Sequence, residues 1–202
     1  LTVKVSSDVL IPRQDTECLV AAAEEVLHLK MRKDEPDARV LDMCTGSGCI
    51  LISLMKRLGL KEGLGVDVSR KALSIARENA KLHRVEADFI CSDLFDGVDG
   101  EFDVIASNPP YIPTAVIDQL EREVKQHDPI SALDGSDDGL FYYRRIIADS
   151  KAYMKPQGVL LFEIGYDQGA AVKQLLDQAG FQKVTVVLDW SGLDRVVYGS
   201  VQ

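Results

Sequence analysis

Short apolar runs alternate with stretches of helical periodicity from about residue 38 to the end of the chain. The apolar runs predict seven strands, at residues 39–44, 63–68, 88–91, 102–107, 159–164, 184–188 and 195–199. One helix is predicted at residues 48–58, with Gly59 ending it. A second helix is predicted to begin after Ser69, its N-cap, and to bury Leu73, Ala76 and Ala80. A third helix is indicated by an apolar face of Leu140, Tyr143, Ile147 and Met154. A fourth helix has the face Val172, Leu175, Leu176 and Ala179 and ends at Gly180.

This alternation predicts a doubly wound α/β fold, in which helices cover both faces of a mostly parallel sheet. The short connection at residues 189–194 joins the last two strands. A short connection of this kind favours a hairpin, so we expect a seven-stranded sheet whose last strand runs antiparallel.

The first part of the chain lies outside this pattern. Residues 16–30 predict an amphipathic helix with Leu19, Ala22, Ala23, Val26 and Leu27 on one side, and the charged residues 30–37 predict a surface connector. We therefore divide the chain into a lead-in segment with its helix, residues 1–36, and one α/β domain, residues 37–202. Within that domain, residues 108–137 form a long connection after the fourth strand, which is usually a sign of function.

Charge and composition narrow the possible partners. The 202 residues include 23 Lys plus Arg and 32 Asp plus Glu, a formal net charge of −9. Because nucleic-acid affinity comes largely from basic side chains, this charge argues against a broad phosphate-binding face but not against a local basic groove. No apolar run approaches the roughly 20 residues that span a bilayer, and no signal peptide is visible, so we expect no membrane partner.

The cysteines and histidines point to a reducing environment. The four cysteines form no C-x-x-C pair and the three histidines lie far apart, which predicts neither a metal site nor a disulfide framework. We therefore expect a cytoplasmic protein. The numbering begins at Leu1 rather than at a methionine, so we expect a fragment, a processed form or the ordered part of a longer protein.

The first candidate site is the glycine-containing loop at residues 42–48, between a strand and a helix. Small residues allow a sharp turn and close approach to a ligand, and open α/β sheets bind ligands at this edge. A dehydrogenase loop would carry a third glycine where Leu51 stands, so a dinucleotide is disfavoured. A purely structural turn is the alternative. The candidate cofactor contacts here are Cys44, Thr45, Gly46, Ser47 and Gly48.

Two acidic residues follow the next two strands. Asp67, about 20 residues after the glycine loop and followed by Val68, can accept hydrogen bonds from both ribose hydroxyls of an adenosine ligand. Asp93 can accept a bond from the adenine amino group while Leu94 packs on the ring; a turn or cap aspartate is the alternative. The sequence therefore predicts an adenosine site formed by Asp67, Val68, Asp93 and Leu94.

The most specific motif is Asn108-Pro109-Pro110-Tyr111, at the end of the fourth strand. Two prolines remove two backbone donors and fix φ, so the carbonyls there are acceptors held in place. A planar NH2 group attacks a methyl group only when both of its hydrogens are engaged, and Asn108 and the Pro109 carbonyl are suitable acceptors. Tyr111 can pack flat on the planar group. A rigid loop with a buried tyrosine is the structural alternative.

At this point the sequence resembles amino-methyltransferases that act on glutamine amides or on nucleobase amino groups. Residues 10–17 are similar to the I-P-R-P-x-T-E motif of the HemK/PrmC family of release-factor glutamine methyltransferases, with Gln14 in place of the second proline. Residues 127–135, 138–146, 163–169 and 194–197 resemble further segments of that family. The resemblance therefore covers nearly the whole chain.

The resemblance implies a class I, Rossmann-like methyltransferase without a metal or a direct nucleic-acid partner. Its expected reaction moves a methyl group from S-adenosylmethionine to the N5 amide nitrogen of the glutamine in a release factor's Gly-Gly-Gln motif. Asn108, Pro109 and Tyr111 are the implied catalytic residues, and Asn108 also contacts the cofactor. Pro110 and Arg13 would join them in binding the substrate, and Glu163 is a further candidate for shaping the site.

Two departures and two alternatives accompany this expectation. The family usually carries glycine where Cys44 stands, and nothing in this sequence corresponds to its N-terminal helical domain. A DNA adenine N6-methyltransferase would use the same Asn-Pro-Pro-Tyr logic on a flipped base. A non-catalytic S-adenosylmethionine-binding module would keep the cofactor residues, but it has no need of a loop that orients an amide.

Overall fold

The computed structural model describes residues 1–30, 38–120 and 128–202. Its helices are α1 (Thr16–Lys30), α2 (Cys49–Leu58), α3 (Arg70–His83), the short α4 (Thr114–Ile117), α5 (Phe141–Ser150) and α6 (Gly169–Gln178). Its strands are β1 (Arg39–Met43), β2 (Glu62–Asp67), β3 (Asp88–Cys91), β4 (Phe102–Ser107), β5 (Met154–Glu163), β6 (Gln182–Leu188) and β7 (Asp194–Ser200). Of the connector predicted at residues 30–37, Lys30 is the last residue of α1, and residues 31–37 lie outside the described residues, as does His127.

The seven strands form one sheet in the order β3-β2-β1-β4-β5-β7-β6. The pairs among β1 to β5 are parallel, and β7 runs antiparallel to both of its neighbours, β5 and β6. The predicted fold class, including the antiparallel last strand, is therefore confirmed. The parallel strands direct their carboxyl ends to one edge of the sheet.

The two faces of the sheet carry separate apolar cores. On one face, α1, α2 and α3 pack over residues that include Val40, Ala106 and Leu161. On the other face, α5 and α6 pack over residues that include Ile105 and Phe162. Because side chains alternate along a strand, most strands contribute to both cores. The predicted helix at 16–30 is confirmed, and it packs on the first of these faces.

Local signals at helix ends are also confirmed. The Ser69 hydroxyl accepts the Ala72 N–H at 3.2 Å and caps α3, as predicted. Gly59, at the end of α2, has a φ of 67° and donates its N–H to the Met55 carbonyl. Both residues satisfy backbone groups that a helix end leaves without a partner.

Two predicted boundaries near Met154 are wrong. Met154 fits the helical spacing of α5 but is the first residue of β5, because α5 ends at Ser150. Met154 is buried in the same core as α5, which is why its position looks helical. Strand β5 also begins at 154 rather than 159, since it continues through Pro156 and Gly158 with a register shift against β4. The strands predicted at 88–91 and 102–107 have these same boundaries, and those of the other strands differ by at most two residues.

Candidate active site

A cavity of about 310 Å³ lies at the edge where β1, β2, β3 and β4 end. Residues from all four strand ends line it. Those that the sequence predicted as contacts are Cys44, Thr45, Gly46, Ser47, Asp67, Val68, Asp93, Leu94, Asn108 and Pro110. The predicted site residues Gly48, Pro109, Tyr111 and Arg13 are not among the lining residues, and each lies next to this group in one of the segments described below.

Asp42 supports the glycine loop from inside the protein. Its Oδ2 accepts the Thr45 hydroxyl at 2.5 Å and the Leu51 N–H at 3.3 Å. Burial raises the pKa of Asp42 to about 7. These bonds join the turn after β1 to the first turn of α2, so the loop is held at both of its ends.

Gly48, at the end of the same loop, packs closely against α2 and α3. Its φ is 79°, and a Cβ atom there would lie 3.0 Å from Ile52 Cδ1 and 3.2 Å from the Cβ of Ala76. Glycine meets both requirements, because it adopts a positive φ without strain and leaves room for close helix packing. Gly48 therefore sets where α2 begins, while its neighbours face the cavity.

Cys44 has a φ of 61°, at the position where the resembled family usually carries glycine. A left-handed conformation costs an L-residue about 1–2 kcal/mol, and glycine avoids this cost. We expect Cys44→Gly to have a free energy of unfolding about 1 kcal/mol higher than Cys44→Ala. Urea unfolding of both variants measures the difference.

The matched control is the same pair of variants at Cys18, inside α1. There alanine is expected to be the more stable by about 1 kcal/mol, because glycine is a poor helix former. The same order of stability at both positions would show that the backbone at Cys44 is unstrained.

Asp67 joins the glycine loop to the end of β2. Its Oδ2 accepts the Gly46 N–H at 2.9 Å, and its Oδ1 accepts the Ser69 N–H at 2.8 Å. Burial raises the pKa of Asp67, and these two bonds oppose the rise. Each carboxylate oxygen has a further lone pair. Because Asp67 lines the cavity, it can accept bonds from two neighbouring hydroxyls of a ligand.

Asp93 is held by a partner that the sequence did not predict. Both of its oxygens accept hydrogen bonds from Arg145 on α5, each at 3.0 Å, and both residues line the cavity. Leu94 follows with a φ of 51° and is buried except for its contact with the cavity. Strained backbone of this kind is concentrated at ligand sites. This end of the cavity therefore combines an ion pair with an apolar wall.

Close packing against the segment 130–139 holds the Asn108–Tyr111 loop in place. The Tyr111 carbonyl accepts a hydrogen bond from Gln168 Nε2 at 2.9 Å. A Cβ on Gly135 would lie 2.7 Å from Tyr111 Cα, and one on Gly139 would lie 2.3 Å from the Tyr111 carbonyl oxygen. Only glycine permits such an approach, so these two positions fix the loop.

The side chains of the loop have different surroundings. Pro109 and Pro110 are buried, whereas Asn108 is half-buried and faces the cavity. Burial raises the pKa of Tyr111 to about 12, so its ring is neutral at physiological pH. The loop therefore presents a neutral amide and a neutral phenol beside the cavity.

Arg13 pairs with Asp128, which precedes the cavity-lining residue Pro129. Its guanidinium lies 2.5 Å from the Asp128 carboxylate, which also accepts the Ile11 N–H at 3.0 Å. Arg13 lines a neighbouring cavity of about 510 Å³ instead of the first one. Its neighbour Pro12 lines both cavities. The lead-in segment is thus fastened to the segment after 128.

Sequence reasoning did not assign several residues that line the cavity. They are Val9, Leu10 and Pro12 from the lead-in segment, Pro129, Ser131 and Ala132, and Tyr142 and Arg145 on α5. Several of them fall within the motifs that carried the family resemblance, and this was the signal that could have selected them. Glu163, the remaining candidate, is buried at the end of β5.

Two general properties complete the description of the site and its surroundings. Within the described ranges, no group of three or more His, Cys, Asp or Glu side chains could hold a metal ion. In the same ranges, no helix is both long and apolar enough to cross a membrane.

Solved structures share this fold. The ribosomal protein L11 methylase of Lactobacillus delbrueckii subsp. bulgaricus aligns with a TM-score of 0.65 and 21% identity, over 94% of this chain and 81% of that one. A 16S rRNA N2 G1207 methyltransferase of T. thermophilus, solved with AdoMet and guanosine, aligns with a TM-score of 0.65 and 17% identity. That alignment covers 95% of this chain and 44% of the other. At these identities the likeness concerns the fold alone.

Sequence comparisons are more specific. The Methyltransferase small domain family matches residues 20–124. The release factor glutamine methyltransferase of Caulobacter vibrioides is 42% identical over 98% of this chain and 68% of its own length. The protein of the same name in Thermodesulfovibrio yellowstonii is 38% identical over 98% of this chain and 70% of its own length. The chain therefore belongs to the family of release factor glutamine methyltransferases.

Proposed function

We propose that this chain transfers a methyl group from S-adenosylmethionine to the side-chain amide nitrogen of a glutamine in a peptide chain release factor. The acceptor is the glutamine of the Gly-Gly-Gln motif. The observation that carries the proposal is the position of Asn108, which directly follows β4, begins the four-residue loop and lines the same cavity as Asp67. The substrate assignment follows the family to which the chain belongs.

The residues of the cavity fit S-adenosylmethionine. Asp67 would accept the ribose hydroxyls, with Val68 beside the sugar and Leu94 against the adenine ring. Asp93 would accept the adenine amino group while it keeps its pair with Arg145. The loop at Cys44–Gly48 would surround the methionine part, whose carboxylate suits the amino end of α2. When bound, S-adenosylmethionine supplies an electrophilic methyl group on a positively charged sulfur.

The Asn108–Tyr111 loop then orients the acceptor. The Asn108 Oδ1 and the Pro109 carbonyl oxygen accept the two hydrogens of the glutamine NH2, and Tyr111 packs on the planar amide. The nitrogen is thereby held facing the methyl group, and orientation of this kind supplies much of the rate. The same acceptors stabilise the positive charge that develops on nitrogen. The acidic proton of the methylated amide leaves to Asn108, to a backbone carbonyl or to water.

We propose further that the chain works without a metal ion and acts on protein rather than on nucleic acid or a membrane. A sulfonium is already an activated leaving group, so we propose that the reaction needs no metal ion. With a net charge of −9, the chain is proposed to act on protein in the cytoplasm, without a direct nucleic-acid or membrane partner. We propose that residues 37–202 form the methyltransferase domain and that residues 1–36 form the lead-in segment and helix packed on it.

Methyl transfer to a purified release factor tests the function. With S-adenosylmethionine carrying a labelled methyl group, we expect label at the Gly-Gly-Gln glutamine, located by mass spectrometry. A release factor in which that glutamine is changed to glutamate should remain unlabelled, because a carboxylate offers no NH2 group for Asn108 to hold. Label in adenine-containing DNA, with none in the release factor, would instead favour an adenine methyltransferase.

A further inference from the structure

Glu163 lies beside Asn108 at the edge of the sheet that holds the cavity. Ser107 of β4 pairs with Phe162 of β5, so the next residues of the two strands, Asn108 and Glu163, are adjacent. Along β5, Leu161 belongs to the core under α1 and Phe162 to the opposite core. By the alternation of a strand, Glu163 faces α1, where Thr16 is the first helical residue.

The surroundings of Glu163 are unusual for a carboxylate. The residue is only 2% exposed, and its Oε2 has no hydrogen-bond partner among the described residues. The side chains of Thr16 and Asn108 lie close enough to the carboxylate that hydrogen bonding from them lowers its pKa. Arg195 lies near but pairs with Asp189 at 3.0 Å and with Asp15 at 3.4 Å. In the described part of the chain, Glu163 therefore forms no ion pair that would account for its burial.

A buried carboxylate beside an asparagine restricts how that asparagine is turned. The asparagine amide has an oxygen that accepts and a nitrogen that donates, and the two exchange places when the side chain flips. An ionised carboxylate only accepts, so it selects the flip in which Asn108 Nδ2 faces Glu163. Asn108 Oδ1 then faces away, on the side that is available to a substrate.

We propose that Glu163 is a positioning residue that holds the Asn108 amide with its oxygen directed at the glutamine NH2 of the substrate. This inference rests on the proposed function, because it assigns the orientation of the group that receives the acceptor. Glu163 acts through Asn108 and need not touch the substrate. Thr16 is the second side chain that holds the carboxylate in place.

The arrangement makes turnover sensitive to pH. The pKa of Glu163 is raised to about 7, chiefly by burial; Asp15 contributes to the rise, and hydrogen bonding from Thr16 and Asn108 and the charge of Arg195 oppose it. Once protonated, Glu163 can donate to Asn108 Oδ1 and so favours the wrong flip. In the wild type, kcat is therefore full above the pKa and falls as the pH drops through about 7.

Besides Asp15 and Arg195, the groups that interact with Glu163 are two phenols and two thiols, which stay neutral in this range. Burial raises the pKa of each of them, to about 12 for Tyr111 and Cys49 and above the ordinary value for Cys18 and Tyr143. Asp42 also has a pKa of about 7, but it contacts Thr45 and Leu51 at the cofactor loop. A variant at Glu163 separates the two carboxyl groups.

The experiment measures the pH profile of kcat for the wild type and for Glu163→Gln with a release factor substrate. Glutamine keeps the shape but has both a donor and an acceptor, so it permits either flip of Asn108. We expect kcat at pH 8 to fall on the order of tenfold, because loss of orientation lowers the rate. The decline of kcat below pH 7 should disappear, with cofactor affinity and KM little changed. Glu163→Asp, which keeps the charge, should keep the decline.

Glu86→Gln, an exposed change before β3, is the matched control and should behave as the wild type. A wild-type kcat that is constant from pH 5.5 to pH 8.5 would overturn the proposal, as would a Glu163→Gln profile with the wild-type decline. If Glu163→Gln does not fold, a constant wild-type kcat still overturns the proposal, and Glu163→Asp together with the NMR titration of Asn108 separates Glu163 from Asp42.

A second readout is independent of activity. With ¹⁵N labelling, the NMR signal of the Asn108 side-chain NH2 should shift with an apparent pKa near 7 in the wild type and stay constant in Glu163→Gln. An unchanged wild-type signal would contradict the contact between the two side chains. If the wild type labels no release factor while this NMR titration appears, the proposed function fails and the positioning of Asn108 stands.

Discussion

Replacing Asn108 with alanine is expected to lower kcat by about 10²–10³, the usual effect of deleting one preorganised polar group from a catalytic site. Asn108 directly follows β4, lies beside Glu163 and faces the cavity, so its loss removes an acceptor for the glutamine NH2. Affinity for S-adenosylmethionine should change far less, because Asp67 and the glycine loop remain. Single-turnover kinetics and calorimetry measure the two quantities separately.

The matched control for this variant is Gln174→Ala, which deletes an exposed side-chain amide on α6. It should leave both turnover and cofactor affinity unchanged. Near wild-type turnover by Asn108→Ala would exclude the amide-holding mechanism, whatever the family of the protein.

Asp67→Ala should weaken the binding of S-adenosylmethionine by at least about tenfold, which corresponds to about 1.4 kcal/mol. A hydrogen bond to a charged acceptor contributes about 1.5–3 kcal/mol, and water partly compensates for two such bonds to the ribose. The change also removes the bonds from Gly46 and Ser69, so the glycine loop loses a support. Isothermal titration calorimetry measures the effect.

An analogue of S-adenosylhomocysteine without the two ribose hydroxyls separates these contributions. The wild type should bind it more weakly than S-adenosylhomocysteine, whereas Asp67→Ala should bind the two equally. Asp88→Ala removes an exposed carboxylate at the opposite end of β3 and serves as the control. Unchanged cofactor affinity in Asp67→Ala would remove Asp67 from the site.

Much of the fold could be predicted because its signals are local. Apolar periodicity located α1 and each of the seven strands, and the cap at Ser69 and the stop at Gly59 are encoded within a few residues. The error at Met154 arose because a buried apolar side chain can continue a helical pattern after the helix has ended. Periodicity records that a position is buried and leaves open which element buries it.

The candidate site could be selected from the sequence in part. The glycine loop, Asp67, Asp93 and Asn108 each follow a predicted strand, and parallel strands bring such residues to one edge of the sheet. Tyr142 and Arg145 could not be assigned in this way, because they reach the cavity from α5 on one face. Their contribution depends on how that helix packs.

The sequence by itself thus determined the helices and strands, the class of the sheet and the segments that meet at the edge holding the cavity. All of these follow from patterns among residues that are close in the sequence. Only the tertiary structure decided which side chains pair across that edge. Arg13 meets Asp128 across 115 positions of the chain, and Arg145 meets Asp93 across 52. The register of β4 with β5 puts Glu163 beside Asn108. Such contacts depend on strand order and helix packing, which no local pattern records.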